Sequence, residues 1–187
     1  MIITIHQPNF IPWYPFFQKM QMADKFVFLT HCQYRKNYFQ NRFNLENKWH
    51  TMSVDRGLIN ISEKQYVNYK KDWMRIKENL KKYQDVLSEF DDCISSSMSE
   101  TNIKIIKKIS KLLDIDVEFE YDVLTNLKSN ERLIDICLRN CADTYIAGTG
   151  SMNYIQVDKF LNSGISVIFQ KEEDKQQKSI LEILDGR

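Results

Sequence analysis

Proline and glycine are scarce in this chain, with three prolines and five glycines in 187 residues. That excludes collagen-like and low-complexity linker sequence, and it makes each breaker a marker of something local. Cysteine is sparse too. Cys32, Cys93, Cys137 and Cys141 lack C-x-x-C spacing and the density of a disulfide scaffold. Cys137 and Cys141 lie one helical turn apart and would need His31 or Cys32 to complete a metal set, so buried free thiols are the default and no metal is expected. Charge of one sign is also missing: 26 Lys plus Arg against 25 Asp plus Glu give a net charge of +1. A balance this close removes any general pull towards DNA or an anionic membrane. No apolar run approaches the roughly 18 residues of a membrane span. The N-terminus has no basic region followed by an apolar run and a small-residue cleavage site, so a cytoplasmic location is expected. No G-x-x-x-x-G-K-[ST] run is present, which argues against self-sufficient activation of a substrate by ATP, and no cofactor is expected.

The chain does have the means for a core, being 43% hydrophobic and 27% charged. Its length suits one α/β domain over residues 1–187 with a helical insertion at about 60–113. All three prolines fall in the stretch Ile2-Ile3-Thr4-Ile5-His6-Gln7-Pro8-Asn9-Phe10-Ile11-Pro12-Trp13-Tyr14-Pro15. Its first four residues are β-branched and uncharged, the pattern of a strand buried on both faces. The prolines then forbid regular structure, so a stiff aromatic loop leaves the strand's C-terminal end carrying His6, Gln7 and Asn9. Ligands bind at such ends in open α/β sheets. Phe10, Trp13 and Phe16 read first as core.

Phe16 to Ala23 reads as a short helix and Lys25 to Thr30 as a second strand, a βαβ unit with parallel strands. After it comes Gln33-Tyr34-Arg35-Lys36-Asn37-Tyr38-Phe39-Gln40-Asn41-Arg42, polar, basic and aromatic together. The Asn41-Arg42 pair suits a phosphate-bearing ligand. Trp49 to Val54 reads as a strand. Tyr66, Tyr69, Trp73, Ile76, Leu80 and Tyr83 mark one helix face, Val86 to Ile94 a further short helix, and Ser99 the cap of a helix with Ile103, Ile106, Ile109, Leu112 and Leu113 inward. A strand over Asp116–Tyr121 follows, then a helix capped by Ser129. Asp143 to Ala147 is a strand entering Gly148-Thr149-Gly150-Ser151, where two glycines allow close backbone approach and a helix from Tyr154 aims N–H groups at an anion. Gly164 ends that helix, and Ile165 to Gln170 is the last strand. A charged tail then becomes faintly helical from Ser179. The fold expected is an α/β, Rossmann-like three-layer sandwich with a mainly parallel sheet.

Several blocks resemble the WbqC-like proteins of bacterial polysaccharide gene clusters. They are His6-Gln7-Pro8-Asn9-Phe10 with Pro12-Trp13, Ala23-Asp24, Gln33, Gln40-Asn41-Arg42, Glu131-Arg132-Leu133-Ile134-Asp135, Tyr145-Ile146-Ala147-Gly148-x-Gly150 with Tyr154, Gly164-Ile165 with Phe169-Gln170, and Ser179 to Leu184. Two departures stand out: Thr30 and His31 occupy places where the family carries acidic residues, and the end at Gly186-Arg187 reads as shortened.

The resemblance implies a role in making surface polysaccharide such as O-antigen, by a transferase that attaches an aminoacyl, glycyl-type group to the amine of a nucleotide-linked amino sugar. In that scheme His6 is the general base, since imidazole is the side chain whose ordinary titration lies nearest neutrality. Arg42 holds the diphosphate and the turn Gly148, Gly150, Ser151 a second phosphate or an oxyanion. Gln7, Asn9, Gln33 and Asn41 orient hydroxyls and amides, while Tyr34 or Trp13 stacks on a ring. The acyl donor is left open, and a homo-oligomer is compatible with the sequence. A non-catalytic binder of sugar nucleotides or glycan precursors is the alternative. A nucleotidyltransferase-like enzyme ranks below both, because Phe10 and Trp13 stand where the two histidines of an H-x-G-H site belong.

Overall fold

The computed structural model describes residues 1–171 and 179–186. Most of the charged tail expected after the last strand, residues 172–178, lies outside the described residues, as does Arg187. The elements run β1 (Ile2–His6), α1 (Tyr14–Gln21), β2 (Lys25–Phe28), β3 (Arg42–Leu45), β4 (Lys48–Thr51), α2 (Tyr69–Asn79) and α3 (Gln84–Ser88). They continue with α4 (Met98–Leu112), β5 (Glu118–Tyr121), α5 (Ser129–Arg139), β6 (Thr144–Ala147), α6 (Val157–Asn162), β7 (Ser166–Phe169) and α7 (Ile180–Asp185). Two compact units share them: Met1–His6, Pro15–Leu29 and Ile115–Gln176 form a sheet unit, and Gln7–Tyr14, Thr30–Asp114 and Gln177–Arg187 a second.

The sheet unit is an all-parallel five-stranded sheet in the order β5-β2-β1-β6-β7. β1 is central, as its β-branched run requires, and the Thr4 hydroxyl donates to the Ile146 carbonyl at 2.9 Å. Strand alternation sorts the core into two faces. Ile3, Ile5, Val27, Tyr145 and Ala147 pack with Ile136 and Cys137 of α5 and Phe160 of α6. The other face is aromatic: Phe26 meets Phe28 and Phe16 of α1, and Phe28 stacks on Phe119 with ring centroids 5.5 Å apart. Helices therefore cover both faces, which is the Rossmann-like three-layer arrangement expected.

In the second unit β3 and β4 form a hairpin closed by Glu46 and Asn47, both at positive φ (53° and 59°), as a type I′ turn requires. The expected strand over Trp49–Val54 is Lys48–Thr51; beyond it the Met52 N–H still donates to the Asn41 carbonyl at 2.8 Å, in register with the hairpin, and Val54 then pairs with Tyr66 instead. The apolar stripe is as read from Trp73 onward, with Trp73, Ile76, Leu80 and Tyr83 all buried. Tyr66 instead lies before α2, in a bridge with Val54. The second short helix is α3, Gln84–Ser88, and Ser97 rather than Ser99 caps α4, its hydroxyl accepting from the Glu100 N–H. Ser129 does not cap α5 either. It is the first helical residue, at φ 50°, and Lys128 occupies the cap position.

The thiols divide. Cys93 and Cys137 are buried, and burial pushes them up to about 11 and about 12. Cys141 is exposed and Cys32 half-buried. Among the described residues no helix is long and apolar enough to cross a membrane.

Candidate functional site

Within the second unit lies a cavity of ≈ 480 Å³ whose walls include Tyr34, Lys36, Asn37, Asn41, Arg42 and Arg56. Three cations beside two carboxamides and a phenol give it the chemistry that an anion with hydrogen-bonding groups would need. One carboxylate, Asp55, lines it as well, but Lys64 neutralises that group at 3.1 Å. The Lys64 side chain is fully buried and its ammonium also donates to the Asp55 and Gly57 carbonyls at 2.7 and 2.8 Å, which pins the rim. Gly57 sits at φ 95°, a conformation that favours glycine.

Arg42 is aimed by an aromatic plane. Its guanidinium lies 4.0 Å from the centre of the Trp49 ring and donates to the Asn37 carbonyl. Its Nε is buried and has no protein partner among the described residues. A stacked guanidinium of this kind keeps its charge while losing rotamer freedom, which favours capture of a phosphate. Asn41 is spent on the wall: its Oδ1 accepts from the Tyr34 hydroxyl at 3.1 Å and its Nδ2 donates to the Met52 carbonyl at 2.8 Å. Burial raises the Tyr34 phenol against the opposing charge of Arg42, so it remains a donor. Gln33 is exposed and tied to the same rim through the Leu58 carbonyl at 2.9 Å.

Behind the cavity runs a buried polar chain that sequence reading missed. Gln40 is fully buried; its Nε2 donates to Gln7 Oε1 at 2.5 Å and its Oε1 accepts from the Arg35 N–H at 3.0 Å. Asn102 of α4 donates to the Gln40 and Pro8 carbonyls at 2.7 and 2.8 Å and accepts from Tyr66 at 2.8 Å. Gln7 also donates to the Cys32 sulfur at 3.2 Å. Gln7 is therefore a framework residue with both ends of its amide engaged by protein. Lys36, Asn37 and Arg56 were missed as well. Lys36 and Asn37 stood in plain view among basic and polar neighbours. Arg56 could have been found from the Asp55-Arg56-Gly57 turn.

Asn9 and Trp13 line a smaller cleft of ≈ 60 Å³ in the same unit, with Phe10, Ile11 and Phe39. Trp13 is 48% exposed, against the expectation that it is core, whereas Phe10 and Phe16 are buried as expected. Ile11 sits at φ 44°, which costs a β-branched residue on the order of 1–3 kcal/mol.

The sheet unit holds the other candidates. Strand order reverses between β1 and β6, so their C-terminal ends form the topological switch point where open α/β sheets bind ligands. His6 ends β1, half-buried, its ring edge-on to Phe16 at 4.8 Å. Gly148, Gly150 and Ser151 follow β6, and a Cβ at either glycine would meet open space. Gly148 has φ −70°, so neither space nor a left-handed conformation demands glycine there. Ser151 is folded back, its hydroxyl donating to the Gly148 carbonyl at 2.6 Å. The anion-binding helix expected from Tyr154 is absent. The Tyr154 and Ile155 N–H groups already donate to the Ser151 carbonyl, and Asn130 clamps the Tyr154 carbonyl and the Gln156 N–H at 3.1 and 3.0 Å. The helix starts only at Val157.

A family model described as the WbqC-like protein family matches residues 7–179, a range that includes every site residue named above except His6. The chain belongs to the WbqC-like family. It is also similar to the uncharacterized protein Rv1507c of Mycobacterium tuberculosis (strain ATCC 25618 / H37Rv), at 21% identity over 186 residues, covering 88% of this chain and 80% of that one. No solved structure matches. Three of the blocks that carried the resemblance have structural reasons in this chain. Gln40-Asn41-Arg42 combines the buried hub, the wall and the charge of the cavity. Glu131-Arg132 supplies Arg132 to a buried ion pair with Asp122, while Glu131 meets Lys159 at 2.5 Å. Ser179 and Glu182 form the capping box of α7.

Proposed function

We propose that this WbqC-like protein binds a nucleotide-linked amino sugar and acts as a transferase on its amine, in the synthesis of a surface polysaccharide. The observation that carries the reading is Arg42, held over Trp49 with a buried, unpartnered Nε in a cavity that also presents Lys36 and Arg56. Within that unit Arg42 takes the diphosphate, Lys36 and Arg56 screen its remaining charge, and Tyr34 offers a ring edge. Within the sheet unit, taken by itself, His6 at the end of β1 offers an imidazole for general-base chemistry on an amine. In the transfer a base removes a proton from the sugar ammonium, and the freed amine attacks the acyl carbon of an activated aminoacyl donor. A C–N bond forms, and the donor's leaving group departs with the electron pair of the bond that breaks.

The test is a thermal-shift screen of the full chain against UDP-, dTDP- and GDP-linked sugars, with and without an amino group. A ligand at about 100 times its Kd adds about 2.7 kcal/mol to stability. Stabilisation by one amino sugar nucleotide, lost in Arg42→Ala, supports the reading; no shift with any of them refutes it. His6→Ala that binds but does not turn over supports the base role, and an active His6→Ala ends it. One observation favours a second reading, a non-catalytic binder: the cavity's carboxylate, Asp55, is tied to Lys64 and is not available as a base. Binding without turnover across a panel of acyl donors selects that reading.

A further inference from the structure

The cleft at Asn9 has a chemistry of its own. Asn9 is 6% exposed, and among the described residues its side-chain Oδ1 is buried with no hydrogen-bond partner. Buried carboxamides are normally satisfied, so one left open marks a group that expects a visitor. The cleft it lines is only ≈ 60 Å³, room for a few heavy atoms and not for a whole sugar ring. Its lining is mostly apolar, with Phe10, Ile11 and Phe43 all buried, and Asn44 and Ser179 add polar groups beside Asn9. Its rim carries two aromatic side chains that stand in solvent, Trp13 at 48% and Phe39 at 37% exposed. The Phe10 N–H donates to the Phe39 carbonyl at 2.9 Å, which fixes the loop against its neighbour.

We propose that this cleft is a subsite for the acetamido substituent of an N-acetylated sugar. The unpartnered Asn9 Oδ1 accepts from the acetamido N–H, while the phenyl and isoleucyl walls receive the methyl group, which lies on the same side of a trans amide as that N–H. Trp13 and Phe39 then meet the apolar face of the pyranose ring that remains outside. The subsite is separate from the cationic cavity and rests on neither the phosphate nor the transfer chemistry.

The experiment is saturation-transfer NMR on the full chain with methyl glycosides of N-acetylglucosamine and N-acetylgalactosamine. Their free-amine and 2-hydroxy counterparts serve as competitors, and N-methylacetamide as the minimal probe. The acetyl methyl should receive the strongest saturation, and the N-acetyl glycoside should bind about tenfold tighter than the 2-hydroxy one. Asn9→Leu, close in volume, should abolish that preference while the Tm stays level or rises, because an unsatisfied polar group has been removed. Asn9→Asp, which keeps the shape and an acceptor oxygen in that place, should retain the preference. Arg42→Ala should leave it intact, so a failure of the nucleotide reading leaves this result standing. Equal binding of N-acetyl and hydroxy sugars, no saturation of any acetyl methyl at ~50 mM, or a lowered Tm in Asn9→Leu would each overturn the proposal.

Discussion

Replacing Lys19 by Met should stabilise the protein, and by an amount that depends on pH. Lys19 lies on α1 of the sheet unit, is 3% exposed, and has neither an ion pair nor a hydrogen bond from its ammonium among the described residues. Burial lowers it from the ordinary 10.5 to about 7, because a low-dielectric site penalises the charged form. The unfolded chain then holds a proton that the folded one lacks at every pH between those two values. The sign follows: the penalty is complete below about pH 7 and is relieved as pH rises towards 10.5. At about 1.36 kcal/mol per pH unit the full penalty is on the order of 4–5 kcal/mol. Evaluated through the titration curve, it is about 3 kcal/mol at pH 8 and about 1 kcal/mol at pH 10. Met matches the length of the lysine stem and carries no charge, so Lys19→Met should be more stable than wild type by those amounts. Urea unfolding of both proteins at the two pH values measures this, and groups common to both cancel in the difference. A gain that does not change with pH, or a variant less stable at pH 8, would refute the argument that Lys19 is desolvated and unpartnered.

Other expectations are simpler to state. Phe28→Ala should cost about 3–5 kcal/mol in urea unfolding, since Phe28 is fully buried and stacked on Phe119. Asp122→Ala removes the buried carboxylate paired with the Arg132 guanidinium and should cost about 3–5 kcal/mol; a loss below ~1 kcal/mol would mean the pair is solvated. Burial raises Tyr66 and Tyr145, two of nine tyrosines, so absorbance at alkaline pH should show at least two phenols ionising only as the protein unfolds. Stability must then fall as pH rises past the ordinary phenol value near ~10, because only the unfolded state releases those protons. Gln40→Leu should loosen the Gln7–Gln40–Arg35 chain, with a loss of roughly 2–4 kcal/mol by the same thermal or urea measurement.

The sheet was legible because its signals were local. The β-branched run Ile2–Ile5 and the alternation of Lys25–Phe28 each declare a strand within a few residues, and a proline-rich loop leaves little choice about where β1 ends. Arg42, Asn41 and Tyr34 were also legible, since a cation between aromatics and amides is a chemical pattern before it is a spatial one. The misses came where a distant side chain decides a local conformation. Asn130 holds the loop after Gly148 and delays α6 to Val157, and nothing near Tyr154 announces it. The Gln40 hub depends on Asn102, 62 residues away, and on Pro8. The Ser97 cap, by contrast, is a local signal: Glu100 stands three residues on, the S-x-x-E spacing of a capping box, which Ser99 with Asn102 lacks.

The position of β1 sets the order in which the protein can be made. Its partner on one side, β2, follows within about thirty residues, but its partner on the other side is β6, in register Ile2↔Thr144. A ribosome adding ~5–20 residues per second needs roughly 7–28 s to cover that interval. Through it the central strand waits with one edge of N–H and C=O groups unpaired, and its neighbour β2 waits for β5. The whole of α2, α3 and α4 is translated in the meantime. The nascent sheet is therefore an open template for foreign strands until Thr144–Ala147 has left the exit tunnel, and heterologous production should gain most from slower synthesis or a chaperone that covers strand edges.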